Sequence, residues 1–118
     1  MESTVLANLI GGELHAPAGG AYLDVFEPAT GAAYAHCPDS DAHDVEAAVQ
    51  AARRAAPAWA ALPIRERAGH LQRLASAVEA RLDDLAREES RDNGKPVALA
   101  RSVDIPRAVA NLRFFAEA

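Results

Sequence analysis

From about residue 39 onward, apolar residues recur at helical spacing. Val45, Ala48, Val49, Ala52, Ala56 and Trp59 share one face of a helix that opens near Ser40 or Asp41. Ser40 or Asp41 suits the N-cap, and Asp41 and Asp44 favour the positive end of the helix dipole. Pro57 has no N–H to donate, so it predicts a bend or an end in the last turn. Pro63 suits the first turn of a second helix. Its stripe of Ile64, Ala68, Leu71, Leu74, Ala75, Val78, Leu82, Leu85 and Ala86 is unbroken. One long helix is therefore expected, stopped by Asn93-Gly94 and reinforced by Pro96. Pro96 can start a short third helix to about Ser102. Ile105, Ala108, Val109, Leu112, Phe115 and Ala116 predict a last one.

Residues 1–38 follow a different pattern. Leu9-Ile10 leads into Gly11-Gly12 and Glu13-Leu14-His15 follows; Tyr22 to Phe26 is short and β-prone, and Ala32 to Cys37 reads as another strand, stopped by Pro38. Gly11-Gly12, the loop Ala16 to Gly20, and Glu27-Pro28-Ala29-Thr30-Gly31 separate them as turns. Two or three short antiparallel strands are expected, a sheet too small to stand without a packing partner. The fold class is thus an α+β segment, a small antiparallel β-hairpin region over 1–38 followed by three or four helices over 39–118.

Composition narrows the picture. Half the residues are apolar, but many of those are alanine, which buries little area. The core should be thin. The net charge is −5, and the arginines alternate with Glu and Asp along the helices. That is the pattern of a solvated, ion-paired helix surface, not of a basic nucleic-acid groove. Cys37 is the only cysteine, so no intrachain disulfide can form, which fits a reducing cytoplasm. The apolar patch Val5 to Ile10 lacks the flanks of a signal peptide, and no run is long enough to span a membrane. The final helical pattern reaches Ala118 with no Gly, Asn or Pro to cap it, and Phe114 and Phe115 stand in its last turn. That ending is read as a domain cut inside its apolar stripe.

Several segments, in order, resemble the aldehyde dehydrogenase superfamily. Glu27-Pro28-Ala29-Thr30-Gly31 is similar to that family's N-terminal NPATG turn, with Glu27 where Asn is usual. Pro38 through Val45, then Ala48-Val49 and Ala51-Ala52-Arg53, resembles its first helix. Trp59, Leu62 and Arg65-Glu66-Arg67 resemble the junction that follows. Leu85-Ala86-Arg87-Glu88-Glu89-Ser90 with Asp92-Asn93-Gly94-Lys95-Pro96 resembles its D-x-G-K-P segment. The stretch Val103 to Ala108, with Ala110 to Phe115, is similar to the subgroup that oxidises 2-hydroxymuconic or 2-aminomuconic semialdehyde.

The resemblance implies an NAD(P)-dependent oxidation of an aldehyde or semialdehyde to the carboxylate. Such chemistry needs a thiolate nucleophile, a carboxylate that activates water, an oxyanion donor and a cofactor-binding turn. The family carries all of these downstream of the matched stretch, so this chain is expected to hold no catalytic and no cofactor-binding residue and to bind neither NAD nor NADP alone. No G-x-G-x-x-G turn is present. Residues 39–118 would be the helical part of an incomplete NAD(P)-binding domain. Expected partners are the remainder of the fold and further copies of the enzyme, with no nucleic acid and no membrane. The resemblance also implies a monovalent-cation site using the backbone of Val25 and Phe26 and the carboxylate of Asp92.

Three tempting alternatives read as structural. Cys37 adjoins His36, but neighbours in a strand face opposite ways, so the histidine is poorly placed to activate the thiol. His15, His43 and His70 lack metal-ligand spacing. Asp92-Asn93-Gly94-Lys95 could pass for a phosphate turn, but it sits at the negative end of a helix and reads as a C-cap. A competing view of the whole chain is a non-catalytic helical interaction module, or a degenerate gene product, that binds through exposed apolar helix faces.

Overall fold

A computed structural model describes residues 4–118. The chain packs as two compact units, Met1–Ala61 and Leu62–Ala118. In the first unit, strands β1 (Thr4–Val5), β2 (Asn8–Ile10), β3 (Glu13–His15), β4 (Tyr22–Phe26) and β5 (Ala33–Pro38) precede helix α1 (Ala42–Ala61). β2 and β3 form an antiparallel hairpin with Leu9 opposite Leu14. Its two-residue turn puts Gly11 at φ 63° and Gly12 at φ 87°, a conformation that side chains resist and that matches the twist of paired strands.

The other sheet has the order β1-β5-β4. β4 and β5 are antiparallel, with an irregularity between Val25 and Phe26. β1 runs parallel to β5, pairing Thr4 with Ala35 and Val5 with His36. Against the two or three antiparallel strands expected in one small sheet, four among the described residues pair antiparallel, divided between two sheets, and the parallel β1 is a further addition. Ala35 at the centre of this sheet is buried. The Glu27–Gly31 turn closes β4 onto β5: Gly31 N–H donates to the Glu27 carbonyl at 2.8 Å, and Glu27 N–H to the Ala32 carbonyl at 2.9 Å. The Thr30 hydroxyl donates to the Glu27 side chain at 3.4 Å, so glutamate still serves this turn as an acceptor.

In the second unit, α2 (Ile64–Ala80) and α3 (Leu82–Asn93) lead to α4 (Val97–Leu99), a π-helical turn over Ala100–Asp104, and α5 (Ile105–Glu117). Its buried residues are Ala75, Ala86, Ala100 and Val109. Small side chains at these crossings let the helix axes approach closely. The result is a core with no large side chain fully buried among the described residues, as the alanine content predicts.

Three sequence expectations are corrected. Pro57 does not end the first helix, which continues to Ala61. The long helix expected from Ile64 to Asn93 is two helices broken at Arg81, whose φ −111° and ψ 21° leave the helical region. The third and fourth helical patterns join through the π-helical turn, with no loop between them. The stop at Gly94 is as expected: its φ is 77°, and its N–H donates to the Ser90 carbonyl at 2.9 Å. Among the described residues, no helix is long and apolar enough to cross a membrane.

Candidate functional site

The junction from β5 into α1 is where an open α/β fold would hold an anionic ligand. Here it reads Pro38-Asp39-Ser40-Asp41 and contains no glycine. Asp41 Oδ1 accepts from the backbone N–H groups of His43 (2.8 Å) and Asp44 (3.3 Å). Asp44 reaches back to the N–H of Asp41 at 3.1 Å, completing a capping box. The same Asp44 carboxylate accepts from Ala18 N–H at 3.0 and 3.2 Å, which ties the preceding loop to the helix start. Asp44 is buried, at 7% exposure. The N–H groups of His43 and, next, Asp44 hold the Asp41 carboxyl below its ordinary value. Two carboxylates therefore fill the end of α1 that a pyrophosphate would need. Between β2 and this helix lies a shallow depression of about 180 Å³, lined by Asn8, Leu9, Ile10, Ser40, Asp44, Val45 and Ala48. Asn8 and Ser40 exchange hydrogen bonds across it at 2.8 and 3.1 Å.

The Cys37 and His36 side chains stand as the strand alternation predicts. His36 pairs across the sheet with Asp24, Nδ1 to Oδ1 at 2.8 Å, whereas Cys37 stands opposite Leu23. His36 is thereby engaged with a carboxylate on the face away from the thiol. His15 lies 3.9 Å from Glu13, His43 lies 3.7 Å from Asp41, and His70 meets Arg73 at 3.0 Å. Each partner is only two or three residues away in sequence. Among the described residues no three His, Cys, Asp or Glu side chains converge as a metal-ligand group.

The turn after α3 is a cap. Asn93 Oδ1 accepts the Lys95 N–H at 2.8 Å, and Asn93 Nδ2 donates to Glu89 at 2.8 Å. Lys95 Nζ is committed to Asp104 at 2.6 Å, both side chains being mostly covered. A phosphate would find neither a free ammonium nor a positive helix end here. Neither this turn nor the α1 junction fits a dinucleotide cradle. Val25 and Phe26 lie on β4 at the ladder irregularity in the first unit, and Asp92 lies in the last turn of α3 in the second.

Apolar surface is what both units offer. In the first, Val5, Leu9, Leu14, Leu23, Phe26, Val45 and Trp59 are exposed. In the second, Ile64, Leu74, Val97 and Leu99 are exposed, and Phe114 and Phe115 stand edge to face at 5.2 Å, each about two-thirds exposed. Periodicity placed many of these residues on helix faces, but it could not show that those faces lie open. Ion pairs align the elements around them: Arg113 donates to Glu79 at 2.6 and 3.3 Å, and Arg101 bonds Asp83. Each of these carboxyls is held below its ordinary value by the hydrogen bond and then the charge of its arginine. Exposed apolar faces of this kind are suited to packing against another surface.

The family pattern described as "Aldehyde dehydrogenase family" matches residues 15–118. The chain is 50% identical over 112 residues to the 2-aminomuconic semialdehyde dehydrogenase of Bos taurus, covering 95% of this chain and 23% of the relative. It is 46% identical over 109 residues to acetaldehyde dehydrogenase 2 of Cupriavidus necator, covering 92% of this chain and 22% of that protein. Among solved structures, the NAD+ complex of the Bacillus cereus aldehyde dehydrogenase superposes with a TM-score of 0.92 at 35% identity, covering 98% of this chain and 24% of that one. The γ-glutamyl-γ-aminobutyraldehyde dehydrogenase of Burkholderia cenocepacia J2315 gives 0.92 at 38% identity, with 99% and 24% covered. The chain thus spans about a quarter of the length of the proteins it matches.

Proposed function

Because the chain belongs to the aldehyde dehydrogenase family, we propose that it is the N-terminal part of an NAD(P)-dependent enzyme that oxidises a semialdehyde to its carboxylate. The observation that carries this reading is the match over residues 15–118, joined to a fold agreement at TM-score 0.92. The semialdehyde class rests on the 50% identity to the Bos taurus protein. In this reading the chain supplies no catalytic group. The capped helix α1 in the first unit and the ion-paired helices of the second each serve as a scaffold. Their apolar faces receive the portion of the fold that bears the nucleophile, the base and the cofactor turn. Its partners are that portion and further copies of the enzyme, in the cytoplasm.

Grafting tests it. This chain would replace the corresponding quarter of the Bos taurus relative. The chimera should be soluble and should reduce NAD+ in the presence of 2-aminomuconic semialdehyde, while the 118-residue chain alone shows no aldehyde-dependent NAD(P)H production. An insoluble or inactive chimera, made beside an active parent, overturns the scaffold role. Turnover by the 118-residue chain alone overturns the claim that it lacks catalytic groups.

A further inference from the structure

Asn93 and Gly94 are adjacent and exposed at the end of α3. An asparagine followed by glycine is chemically unstable, because the next backbone nitrogen meets no Cβ as it approaches the side-chain amide. We propose that Asn93-Gly94 is a deamidation site that the α3 cap holds shut. In the reaction the Gly94 nitrogen gives up its proton to solvent base and attacks Asn93 Cγ. The new N–Cγ bond closes a succinimide, and the side-chain nitrogen leaves as ammonia. Water then opens the ring at either carbonyl, giving aspartate or isoaspartate. No oxidant or reductant is consumed.

Three features of the cap oppose the first step. The Gly94 N–H is donated to the Ser90 carbonyl at 2.9 Å, which disfavours loss of its proton. Both ends of the Asn93 amide are held, Oδ1 by Lys95 N–H and Nδ2 by Glu89, each at 2.8 Å. Asn93 also ends the helix, and ring closure requires it to leave the helical ψ range. Reaction therefore proceeds only through the fraction of molecules in which the last turn of α3 has opened. The product is not neutral for the fold. A carboxylate at position 93 faces Glu89 without a proton to donate, beside Asp92 and at the negative end of the helix. Opening the turn once therefore makes its reclosure less favourable, so the change is self-reinforcing.

The test is peptide mapping by mass spectrometry after incubating the full chain at mildly alkaline pH, with and without denaturant. The readout is replacement of the Asn93 amide by hydroxyl, with aspartate and isoaspartate separated by chromatography. The folded chain should convert at least about tenfold more slowly than the unfolded one. Glu89→Ala should raise the folded rate several-fold and leave the unfolded rate unchanged, and Glu89→Gln, which keeps an acceptor, should restore protection. Equal rates in folded and unfolded chains overturn the proposal. So does a Glu89→Ala variant that stays folded by circular dichroism and reacts no faster than the parent. Asn93→Asp should lower the melting temperature, and an unchanged melt would refute the self-reinforcing step.

Discussion

Asp41 and Asp44 cap the first helix reciprocally, each carboxylate accepting the other's backbone N–H, at 3.3 and 3.1 Å. Asp44 alone extends the arrangement to Ala18 and is buried. Replacing it with alanine leaves the Asp41 and Ala18 donors short of an acceptor. Asp44→Ala should therefore destabilise the first unit by about 1–2 kcal/mol, more than Asp41→Asn, which keeps a capping side chain. Urea denaturation followed at the helix band measures both, and equal losses would contradict the special place of Asp44.

The lowered carboxyl of Asp41 sets a pH dependence. Its folded value lies below the unfolded one. Its contribution is thus complete above the unfolded value and is lost as pH falls through the folded one. Glu79 and Asp83 act with the same sign through Arg113 and Arg101. Helix content on acid titration should stay level from neutral pH down to the ordinary carboxylate range and fall below it. Loss centred near neutrality would show that other groups govern stability.

Lys95 and Asp104 form the most covered ion pair among those described, at 2.6 Å. Removing the ammonium leaves a partly covered carboxylate without its counterion. Lys95→Met should cost about 1 kcal/mol, whereas Arg87→Met at the exposed Asp84 pair should cost less. A double-mutant cycle with Asp104→Ala separates the pair energy from lost packing, and a coupling near zero would remove it from the account.

Gly94 sits at φ 77°, where a Cβ is strained. Gly94→Ala should destabilise the second unit by about 1 kcal/mol, and a neutral result would mean that the chain can end α3 in another way.

The exposed apolar residues of each unit predict self-association of the 118-residue chain in dilute buffer. Sedimentation should show species heavier than monomer as concentration rises. A monodisperse monomer with a cooperative melt would contradict this.

Local chemistry made much of the fold legible. The Asp41 cap, the Glu27–Gly31 turn and the Gly94 stop each follow from residues a few positions apart. Pro57 misled because it removes one ladder bond while the alanines around it favour helix strongly. The break at Arg81 left no trace in the apolar stripe: Val78 and Leu82 both remain half-buried across it. The π-helical turn over Ala100–Asp104 is a single widened turn that side-chain period does not register. The second strand partner of β5 was invisible because parallel pairing is set by distant residues, with no turn between them to announce it. Of the candidate site, the absence of a nucleophile–base pair at Cys37 was legible from strand alternation. The openness of the helix faces was not, because exposure is decided by what lies opposite.

That parallel pair also orders events in time. Thr4 must find Ala35 across the whole intervening stretch of β2, β3 and β4, so its contact closes a long loop. In the second unit the α2–α5 packing that includes Glu79 and Arg113 closes a loop just as long, but each helix is made of hydrogen bonds a few residues apart and can form on a faster clock. During refolding, far-UV signal from α2, α3 and α5 should precede protection of the β5 amides. The interval between them is the period when an alanine-centred sheet is most open to capture by another chain.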